Sequence, residues 1–450
     1  MTMSLMLSNS LGKKKETFSP LIPGHVGLYV CGITPYDYAH LGHGRCYVSF
    51  DVLVRLLKLL EYNVTYVRNF TDIDDKILAK AAQHNPALPY TAISEKFIAA
   101  FHEDMASLNC QAPTIEPTVT GHIQEIITFI EGLIASGNAY VVDSDVYFAI
   151  STFPEYGALS GRKLEDLQAG SRVEIDTRKR HPGDFALWKG SKEGTFWQTP
   201  WGNGRPGWHI ECSAMAYKYL GSTIDIHAGG MDLLFPHHEN EVAQSECLTK
   251  KPFARYWLHN AFININKEKM SKSLGNFITL KEAFKQKDPM ILRYYYLQHQ
   301  YRTPLDFNPE ELAAVTVAYK KLITLGVESD SKDPDYTTNL AGLQGSPVAS
   351  KLLSALCDDL NTPKFLGIIF ENYNQIKNDS LLCLQIVFIL RNILGLLLKP
   401  LNETESALTT EIIQLIKERE EARANKNWSL ADKIRDQLSA LGHISSDKKI

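Results

Sequence analysis

The chain lacks the features that mark secreted, membrane-bound and fibrous proteins. Its 450 residues include only 7 cysteines, an odd number without the regular spacing of a disulfide framework, which favours a reduced cytosolic chain. The longest apolar stretch, residues 386–398, is interrupted by Arg391 and Asn392 and suits a packed helix better than a membrane span. Residues 1–7 are too short for the apolar core of a signal peptide, and no internal repeat is present. We therefore expect a cytoplasmic globular protein that does not enter a membrane.

An excess of positive charge is also missing. Lysine and arginine together number 47 against 51 aspartate and glutamate residues, which gives a net charge of -4. Any contact with a nucleic acid would therefore depend on local basic patches rather than on the overall charge. Residues 13–15 and 178–180 are two such patches, although a solvated charged surface is the simpler interpretation of each.

The start of the chain has the pattern of a nucleotide-binding α/β protein. Residues 26–30 form an apolar run typical of a strand, and a turn-rich segment follows. Apolar residues at spacings of three and four then predict a long helix over residues 48–60, and residues 64–67 predict a second strand. A strand, a turn, a helix and a strand in this order usually begin a Rossmann-type half.

The remaining segments are predicted to interrupt or extend that core. Residues 123–136 predict a helix and residues 139–150 a hairpin. The predicted fold class is α/β, a Rossmann-type nucleotide-binding core with an insertion, followed by an α-helical bundle and a small C-terminal helical module. We divide the chain into residues 1–117, the first half of the core; 118–205, a connective insertion; 206–255, the second half of the core; 256–315, a linking domain; 316–402, the helical bundle; and 403–450, the C-terminal module.

A histidine pair lies where the first strand and its loop give way to the long helix. His40 and His43 are three residues apart and share one helical face, and Gly42 between them lets a nucleotide approach the backbone. The amino end of a helix favours an anion because its backbone N–H groups are free and its dipole is positive there. An ordinary helix start, or half of a metal site, would explain the same residues, so the pair alone is weak evidence.

A second basic motif, KMSKS, occupies residues 269–273. Lys269 and Lys272 could bind a pyrophosphate as its charge develops, whereas a solvated basic loop is the alternative. Together and in this order, more than 200 residues apart, the two motifs resemble the paired signatures of class I aminoacyl-tRNA synthetases. The resemblance implies that both histidines and Lys272 stabilise the transition state in which an amino-acid carboxylate attacks the α-phosphate of ATP. The implied ATP-binding residues are His40, Gly42, His43 and Lys272.

Four residues of types suited to zinc occur near the predicted pocket: Cys31, Cys212, His237 and Glu241. His237 and Glu241 lie four apart on a predicted helix, so both can face one ion. Two cysteines, a histidine and a glutamate form an acceptable tetrahedral set for Zn²⁺. Burial of each cysteine as a small apolar residue is the alternative, and His238 or His209 could replace His237 on spacing alone.

The segments around these residues make the resemblance more specific. Cys31-Gly32, the segment GRPGWHIEC at residues 204–212 and the segment FPHHENE at residues 235–241 resemble the cysteinyl-tRNA synthetase family. The family's zinc ligands correspond to the four residues above, and its zinc takes the thiolate of the substrate cysteine as a further ligand. A plain pocket separates near isosteres such as cysteine and serine by only ~100-fold, so a metal that prefers thiolate supplies the missing discrimination. Further pocket positions that match the family are Thr71, Trp208, His227 and Asp232.

This resemblance implies substrates, partners and roles. The expected reaction forms cysteinyl-adenylate from L-cysteine and ATP, with Mg²⁺, and transfers cysteine to the 3′-terminal adenosine of tRNA(Cys). Asp232 would hold the substrate ammonium and Trp208 would form a wall, with one Zn²⁺ per chain and a monomeric protein. Residues 256–315 would carry the KMSKS loop and residues 403–450 would bind the anticodon, with Trp428 among cations. Residues 442–450 differ from the usual family ending, which is longer and carries a tryptophan.

Two other functions remain open on sequence alone. A ligase that joins activated cysteine to a small amine would keep the zinc and phosphate motifs but would not need about 130 residues of helical C-terminal chain. A non-catalytic regulator would not need intact phosphate motifs. Asp72, Asp74 and Asp75 could hold Mg²⁺, but we expect them to cap the helix that follows, where carboxylates are favourable.

Overall fold

The computed structural model describes residues 3–162, 177–265, 267–270, 276–401, 414–415, 417–419, 421–422 and 427–440. Its strands are β1 Met6–Asn9, β2 Lys14–Thr17, β3 His25–Ile33, β4 Asn63–Phe70, β5 Ala139–Val142, β6 Asp145–Phe148, β7 Phe185–Gly190, β8 Gly204–Pro206, β9 Ile224–Gly230, β10 Ala254–Asn260, β11 Ile263–Ile265, β12 Glu268–Lys269 and β13 Leu305–Phe307. Its helices are α1 Leu41–Leu59, α2 Asp75–Ala82, α3 Tyr90–Ser107, α4 Ile123–Ala135, α5 Ile210–Leu220, α6 Glu239–Thr249, α7 Leu280–Gln286, α8 Pro289–Leu297, α9 Glu311–Lys332, α10 Leu340–Gln344, α11 Pro347–Cys357, α12 Thr362–Glu371, α13 Tyr373–Asn378, α14 Ser380–Asn392 and α15 Trp428–Ala440.

A four-stranded parallel sheet, in the order β10-β9-β3-β4, forms the centre of the predicted Rossmann-type core. Most residues of these strands are buried, as expected for parallel strands covered on both faces. The strands predicted at residues 26–30 and 64–67 are confirmed, and both extend further in each direction. Because β9 pairs directly with β3, the carboxyl ends of strands from the two halves of the core lie side by side, where α/β proteins usually bind ligands.

The end of β3 bends at Gly32. The register between β3 and β4 shifts between Val30 and Ile33, and a Cβ atom on residue 32 would lie 1.5 Å from the carbonyl oxygen of Asn69. The Gly32 N–H donates a hydrogen bond to the Asn69 side chain at 2.9 Å. Only glycine allows this close approach, which fixes the backbone next to Cys31.

The long helix α1 begins at Leu41, seven residues before the apolar pattern of residues 48–60 and at the helix start where the sequence placed the histidine pair. His40 and His43 explain the earlier start, because each ring accepts a hydrogen bond from the other residue's backbone N–H and together they form a capping box. The helix also buries charge: Asp51 pairs with Arg55 at 2.8 Å and with Arg293 of α8 at 2.5 Å. The apolar spacing located the helix but gave no sign of its histidine cap.

The segment predicted to be a connective insertion, residues 118–205, contains α4 and most of an antiparallel sheet in the order β5-β6-β7-β8, whose last strand ends at Pro206. The predicted helix over residues 123–136 is confirmed as α4, and the predicted hairpin is confirmed as β5 and β6. Ile130 and Phe148 of the insertion belong to the same buried apolar cluster as Cys31 and Cys212. The insertion therefore packs directly behind the candidate site.

Smaller elements follow the core. β11 pairs with β12 in antiparallel and with β13 in parallel orientation, forming a three-stranded sheet. Helices α9 to α14 form the predicted bundle, with buried leucine, isoleucine and valine side chains facing one another. Asn361 and Asp379 cap two of these helices through their side chains. In the described residues no helix is both long enough and apolar enough to cross a membrane.

The chain forms two compact units. The first comprises Met1–Ala283 with Pro289–Pro400, and the second comprises Phe284–Asp288 with Leu401–Ile450. In the second unit, α15 begins after Asn427, whose side-chain oxygen accepts a hydrogen bond from the Leu430 N–H at 3.3 Å. Most of residues 403–426 and 441–450 lie outside the described residues. The second unit contains the segment predicted to form the C-terminal module.

Candidate functional site

Four buried side chains converge at the carboxyl end of the central sheet. Cys31 lies on β3 and Cys212 on α5. His237 lies in the short segment between β9 and α6, and Glu241 lies in the first turn of α6. Their ligand atoms all lie within 4.8 Å of one another. The distances are 3.9 Å from Cys31 Sγ to Cys212 Sγ, 3.7 Å from Cys31 Sγ to Glu241 Oε1 and 3.1 Å from His237 Nε2 to Glu241 Oε1.

Two of these separations match the distances between ligands of one tetrahedral ion. Zinc–sulfur bonds of ~2.3 Å and zinc–nitrogen or zinc–oxygen bonds of ~2.1 Å place two sulfurs ~3.8 Å apart and a sulfur and an oxygen ~3.6 Å apart. The observed distances from Cys31 Sγ to Cys212 Sγ and to Glu241 Oε1, 3.9 and 3.7 Å, agree with both values. The donor set of two sulfurs, one nitrogen and one oxygen is one that zinc accepts.

A second set of buried side chains shares two members with the first. Cys31, His227, His238 and Glu241 also bring their ligand atoms within 4.8 Å. The distance from His238 Nε2 to Cys31 Sγ is 3.3 Å. The alternative that the sequence left open for His238 is therefore geometrically available, whereas His209 lies behind His237 and belongs to neither set. The first set has two sulfur donors and the second has one, which favours the first for a thiophilic ion.

Neighbouring side chains orient the members of the first set. His209 Nδ1 lies 3.0 Å from Nδ1 of His237, and His227 Nε2 lies 2.9 Å from Oε2 of Glu241. Outer partners of this kind fix the ring and carboxylate orientations of metal ligands. Asn69 holds its side-chain oxygen 3.8 Å from the Cys212 sulfur while it accepts from Gly32.

The sequence analysis missed two residues that lie beside the candidate ligands, Asn69 and His259. It considered a third, His209, only as a replacement ligand. His259 Nε2 lies 2.8 Å from Nδ1 of His238, and His259 Nδ1 lies 2.7 Å from the Ser10 hydroxyl. A signal was present for both histidines. His209 stands three residues before Cys212, one helical turn away, and His259 stands near the carboxyl end of β10, where α/β sheets collect functional side chains.

Burial disfavours the charged forms of the side chains in this cluster. Desolvation raises the pKa of the Cys31 thiol and of the Glu241 carboxyl well above their ordinary values. A hydrogen bond from Cys31 opposes this effect at Cys212, whose pKa is nevertheless raised by burial. Desolvation lowers the pKa of His237 well below its ordinary value. Metal ligands bind in their deprotonated forms, so a cation would offset these burial costs and would compete with protons.

A cavity of about 540 Å³ opens above the cluster. Cys31 belongs both to the cluster and to the cavity wall. The other predicted site residues in the wall are His40, Gly42, His43, Trp208, Asp232 and Lys269. The fold therefore brings one candidate metal ligand, Cys31, the histidine pair and Lys269 to one cavity.

The histidine pair and Lys269 have defined neighbours. The His40 and His43 rings stack with their centroids 3.6 Å apart, at the amino end of α1. Gly42 could not carry a side chain without movement, because a Cβ atom would lie 2.9 Å from the His40 ring. The Lys269 ammonium lies 3.8 Å from the centroid of the Phe262 ring. Lys272 lies outside the described residues.

The four positions predicted to bind substrate separate into two pairs. Trp208 is 40% exposed and lines the cavity together with Asp232, and its ring lies 4.4 Å from that of His237. Thr71 is 3% exposed and donates its hydroxyl hydrogen bond to Glu211 at 2.7 Å, whereas His227 is fully buried and bonded to Glu241. Among the described residues the cavity wall includes Trp208 and Asp232 but not Thr71 or His227, and substrate binding by all four stays a prediction.

The three aspartates of residues 72–75 have different partners. Asp74 accepts a hydrogen bond from the Lys76 N–H at 2.8 Å and caps α2, as expected. Asp75 lies in the first turn and pairs with Lys189 and Arg205. The expectation of capping is wrong for Asp72, which instead bonds to the backbone and hydroxyl of Thr120 in the insertion. The aspartates therefore do not converge on one point.

Comparisons with known proteins identify two regions of the chain. Residues 17–317 match the family described as tRNA synthetases class I (C) catalytic domain, and residues 405–449 match the cysteinyl-tRNA ligase anticodon binding domain. The chain is 46% identical over 480 residues to a cysteine–tRNA ligase of Geobacter metallireducens, which covers 99% of this chain and 98% of the relative. It is also 46% identical over 466 residues to a cysteine–tRNA ligase of Geobacillus thermodenitrificans. That alignment covers 99% of this chain and 97% of the relative. The solved structure of Mycobacterium tuberculosis methionyl-tRNA synthetase in complex with methionyl-adenylate shares the fold, with a TM-score of 0.58 at 12% identity over 82% of this chain and 92% of that one.

Proposed function

Because the chain belongs to the cysteinyl-tRNA synthetase family of class I aminoacyl-tRNA ligases, we propose that it activates L-cysteine with ATP and transfers it to the 3′-terminal adenosine of tRNA(Cys). The first step would form cysteinyl-adenylate and release pyrophosphate. The observation that carries the proposal is the double position of Cys31. This residue belongs to the cluster suited to a metal and also lines the cavity that holds the paired histidines.

The specificity of this reaction would come from the buried cluster. Cys31, Cys212, His237 and Glu241 would hold one Zn²⁺ per chain. A bound zinc would lower the pKa of the substrate thiol and bind the thiolate in preference to a hydroxyl. Since Cys31 lines the cavity, a substrate side chain in the cavity can approach the cluster at this residue. Discrimination against serine would therefore exceed the ~100-fold that shape alone allows.

The cavity wall would orient the rest of the amino acid. Asp232 is exposed in the wall and would pair with the substrate ammonium, and the Trp208 ring would cover the site. Thr71 and His227 would act through other residues. Thr71 would hold the buried Glu211 carboxyl, and His227 would keep Oε2 of Glu241 occupied so that Oε1 faces the cluster.

ATP would lie along the amino end of α1. The backbone N–H groups there and the rings of His40 and His43 would meet the phosphates, and Gly42 would leave room for the nucleotide. Lys269 and Lys272 would approach from the KMSKS segment and stabilise charge that develops on the phosphates in the transition state. Mg²⁺ would accompany ATP, held by its phosphates and water rather than by residues 72–75.

The partner of the second step would be tRNA(Cys), because the C-terminal residues match an anticodon-binding family. We further propose that the protein acts as a cytoplasmic monomer and that the six segments named from the sequence are its domains. The match of residues 405–449 also favours this function over a ligase for small amines, which needs no anticodon module.

Two assays on the purified protein test the proposal. Cysteine-dependent exchange between pyrophosphate and ATP reports the first step, and charging of tRNA(Cys) with labelled cysteine reports the second. Both activities are expected. Exchange without charging would indicate a ligase for another acceptor, and the absence of cysteine-dependent exchange in zinc-loaded protein would contradict the catalytic assignment.

A further inference from the structure

Arg45 is a buried cation on α1, two residues after His43, and its residue is 1% exposed. Its guanidinium donates to four backbone carbonyls, those of Ala261 at 3.1 Å, Phe262 at 2.9 Å, Gln300 at 3.1 Å and Thr303 at 2.5 Å. One side chain therefore ties the helix that begins with the histidine pair to two separate stretches of chain.

The four carbonyls stand just before two strands of the three-stranded sheet. Residues 261–262 precede β11, and residues 300–303 precede β13. β11 and β13 pair in parallel, and β11 also pairs with β12, where Asn264 lies opposite Lys269. Arg45 thus fixes the starting points of both parallel strands of the sheet that carries Lys269.

Phe262 connects Arg45 to Lys269 directly. Its carbonyl accepts hydrogen bonds from Arg45 and, at 3.1 Å, from the Leu305 N–H. Its ring lies under the Lys269 ammonium, 3.8 Å away from centroid to nitrogen. An aromatic face attracts a cation placed above it. Any displacement of the Phe262 backbone would therefore move the surface on which Lys269 rests.

The opposite side of the histidine motif is also attached to this region. His40 and Thr279 form a β-bridge. The Leu41 N–H donates to Ile278 at 3.2 Å, and the Leu280 N–H donates to Ala39 at 2.8 Å. The start of α1 is thus bonded to chain on both sides of the KMSKS segment, by Arg45 before it and by backbone bonds after it.

A purely stabilising role explains Arg45 poorly. Burial lowers its pKa to about 10, which reflects the cost of removing a cation from water. Within the described part of the chain its hydrogen-bond partners are carbonyl oxygens rather than a carboxylate. Arg293, another fully buried arginine, is instead paired with Asp51 at 2.5 Å. An apolar side chain would fill the Arg45 position at a lower desolvation cost.

We propose that Arg45 is a positioning residue for adenylate formation, which sets the distance between the histidine pair and Lys269 across the ATP site. The inference rests on the proposed function, because it requires that both motifs act on the same phosphates. A misplacement of about 1 Å at a reacting centre lowers a rate by about 100-fold. The loss should appear in kcat, since the contacts that hold cysteine are elsewhere in the cavity.

The test compares Arg45→Met and Arg45→Lys with the wild type in cysteine-dependent pyrophosphate exchange at saturating ATP over a range of cysteine concentrations. We expect kcat to fall by about 100-fold for Arg45→Met and to be partly restored in Arg45→Lys, which keeps the charge and can reach some of the carbonyls. KM for cysteine and zinc content should stay unchanged. Arg293→Met is the matched control, because that arginine also bonds to backbone carbonyls, those of Leu108 and Leu394, but has no contact with residues 261–270 among its described hydrogen bonds.

The outcomes are distinguishable. A folded Arg293→Met protein should lose stability and keep kcat, so an equal loss of kcat in both variants would show that buried arginines act only on stability. If Arg45→Met does not fold, Arg45→Lys decides: a folded lysine variant with the wild-type kcat would overturn the inference. Wild-type protein without cysteine-dependent exchange would instead contradict the proposed function itself.

Discussion

The sulfur atoms of Cys31 and Cys212 lie 3.9 Å apart, although 181 positions of sequence separate the two residues. Cys31 ends a strand of the first half of the core, and Cys212 lies on the helix that opens the second half. The parallel pairing of β3 with β9 brings the two halves together. A metal held by both sulfurs would therefore join the two halves of the core.

We predict one tightly bound zinc per chain, detected by metal analysis of the purified protein. Cys212→Ser should weaken zinc binding by more than the 10- to ~100-fold that the loss of an outer partner costs, because it removes a direct thiolate ligand. Cys247→Ser is a matched control, since Cys247 is also buried but belongs to neither candidate ligand set. Active wild-type protein without metal would contradict the prediction.

A variant of His238 separates the two candidate ligand sets. His238 belongs only to the set that lacks Cys212. If the first set holds the ion, His238→Gln should keep one zinc per chain with affinity reduced less than in Cys212→Ser. Loss of zinc in His238→Gln together with retention in Cys212→Ser would assign the ion to the second set.

The sequence predicted the cluster because residue type and spacing carry that information. His237 and Glu241 share one helical face through their four-residue spacing, and cysteines are soft ligands wherever they occur. Spacing carries no information about contacts between distant elements. The contacts of His209 with His237 and of His259 with His238 depend on how α5, α6 and β10 pack.

Side-chain direction was the second limit of the sequence. Thr71 matches a pocket position of the family, but its hydroxyl is turned to the buried Glu211. Asp72 stands before a helix and was expected to cap it, but Thr120 of the insertion offers two hydrogen bonds instead. The apolar pattern over residues 48–60 does not include Arg45, and nothing in it reveals that this charge is buried. In each case the partner comes from another part of the chain, which local pattern cannot predict.

Lys272→Ala should slow cysteinyl-adenylate formation while it leaves cysteine binding nearly unchanged. A lysine that meets charge developing on the phosphates acts mainly in the transition state, so kcat should fall by about 100-fold or more while KM for cysteine stays constant. Stopped-flow or exchange kinetics measure both parameters. Lys351→Ala, an exposed lysine of α11, is the control. A loss confined to KM for cysteine would show that Lys272 does not act on the phosphates.

Asp104 should make the protein less stable as the pH rises. It is 6% exposed, and burial raises its pKa to about 7 although nearby Lys281 opposes the shift. The folded state therefore binds a proton that the unfolded chain has already released, so stability is lost as the pH rises from the unfolded pKa, ~4, to about 7. Asp104→Asn removes this effect.

The measurement is urea unfolding at pH 5 and pH 8. Asp104→Asn should be more stable than the wild type by about 2 kcal/mol at pH 8, a discounted value for one buried carboxyl, and the difference should be smaller at pH 5. Asp335→Asn, at an exposed position, should show no such trend. An Asp104→Asn difference that does not change with pH would mean that the carboxyl is ionised in the folded protein at both values.

The C-terminal unit should read the anticodon. Residues 405–449 match an anticodon-binding family, and Trp428 at the start of α15 is 59% exposed, with Leu430 beside it 44% exposed. An exposed ring next to cations can stack on an unpaired base, a contact worth about 1–3 kcal/mol per base. A salt-bridged surface helix would also have mixed charges but would not need an exposed tryptophan.

A chain ending at residue 402 separates these interpretations, because the cavity and the described site residues all lie in the first unit. It should keep cysteine-dependent pyrophosphate exchange and charge tRNA(Cys) poorly, chiefly through a raised KM for tRNA. In the full chain, Trp428→Ala should raise that KM by about 5- to 100-fold, the equivalent of one lost stacking contact. Tyr217→Ala, which removes an exposed ring from α5 of the first unit, should leave the KM unchanged. If the folded shortened chain charged tRNA as well as the full chain, the anticodon would have to be read elsewhere or not at all, because the residues that match the anticodon-binding family would be gone.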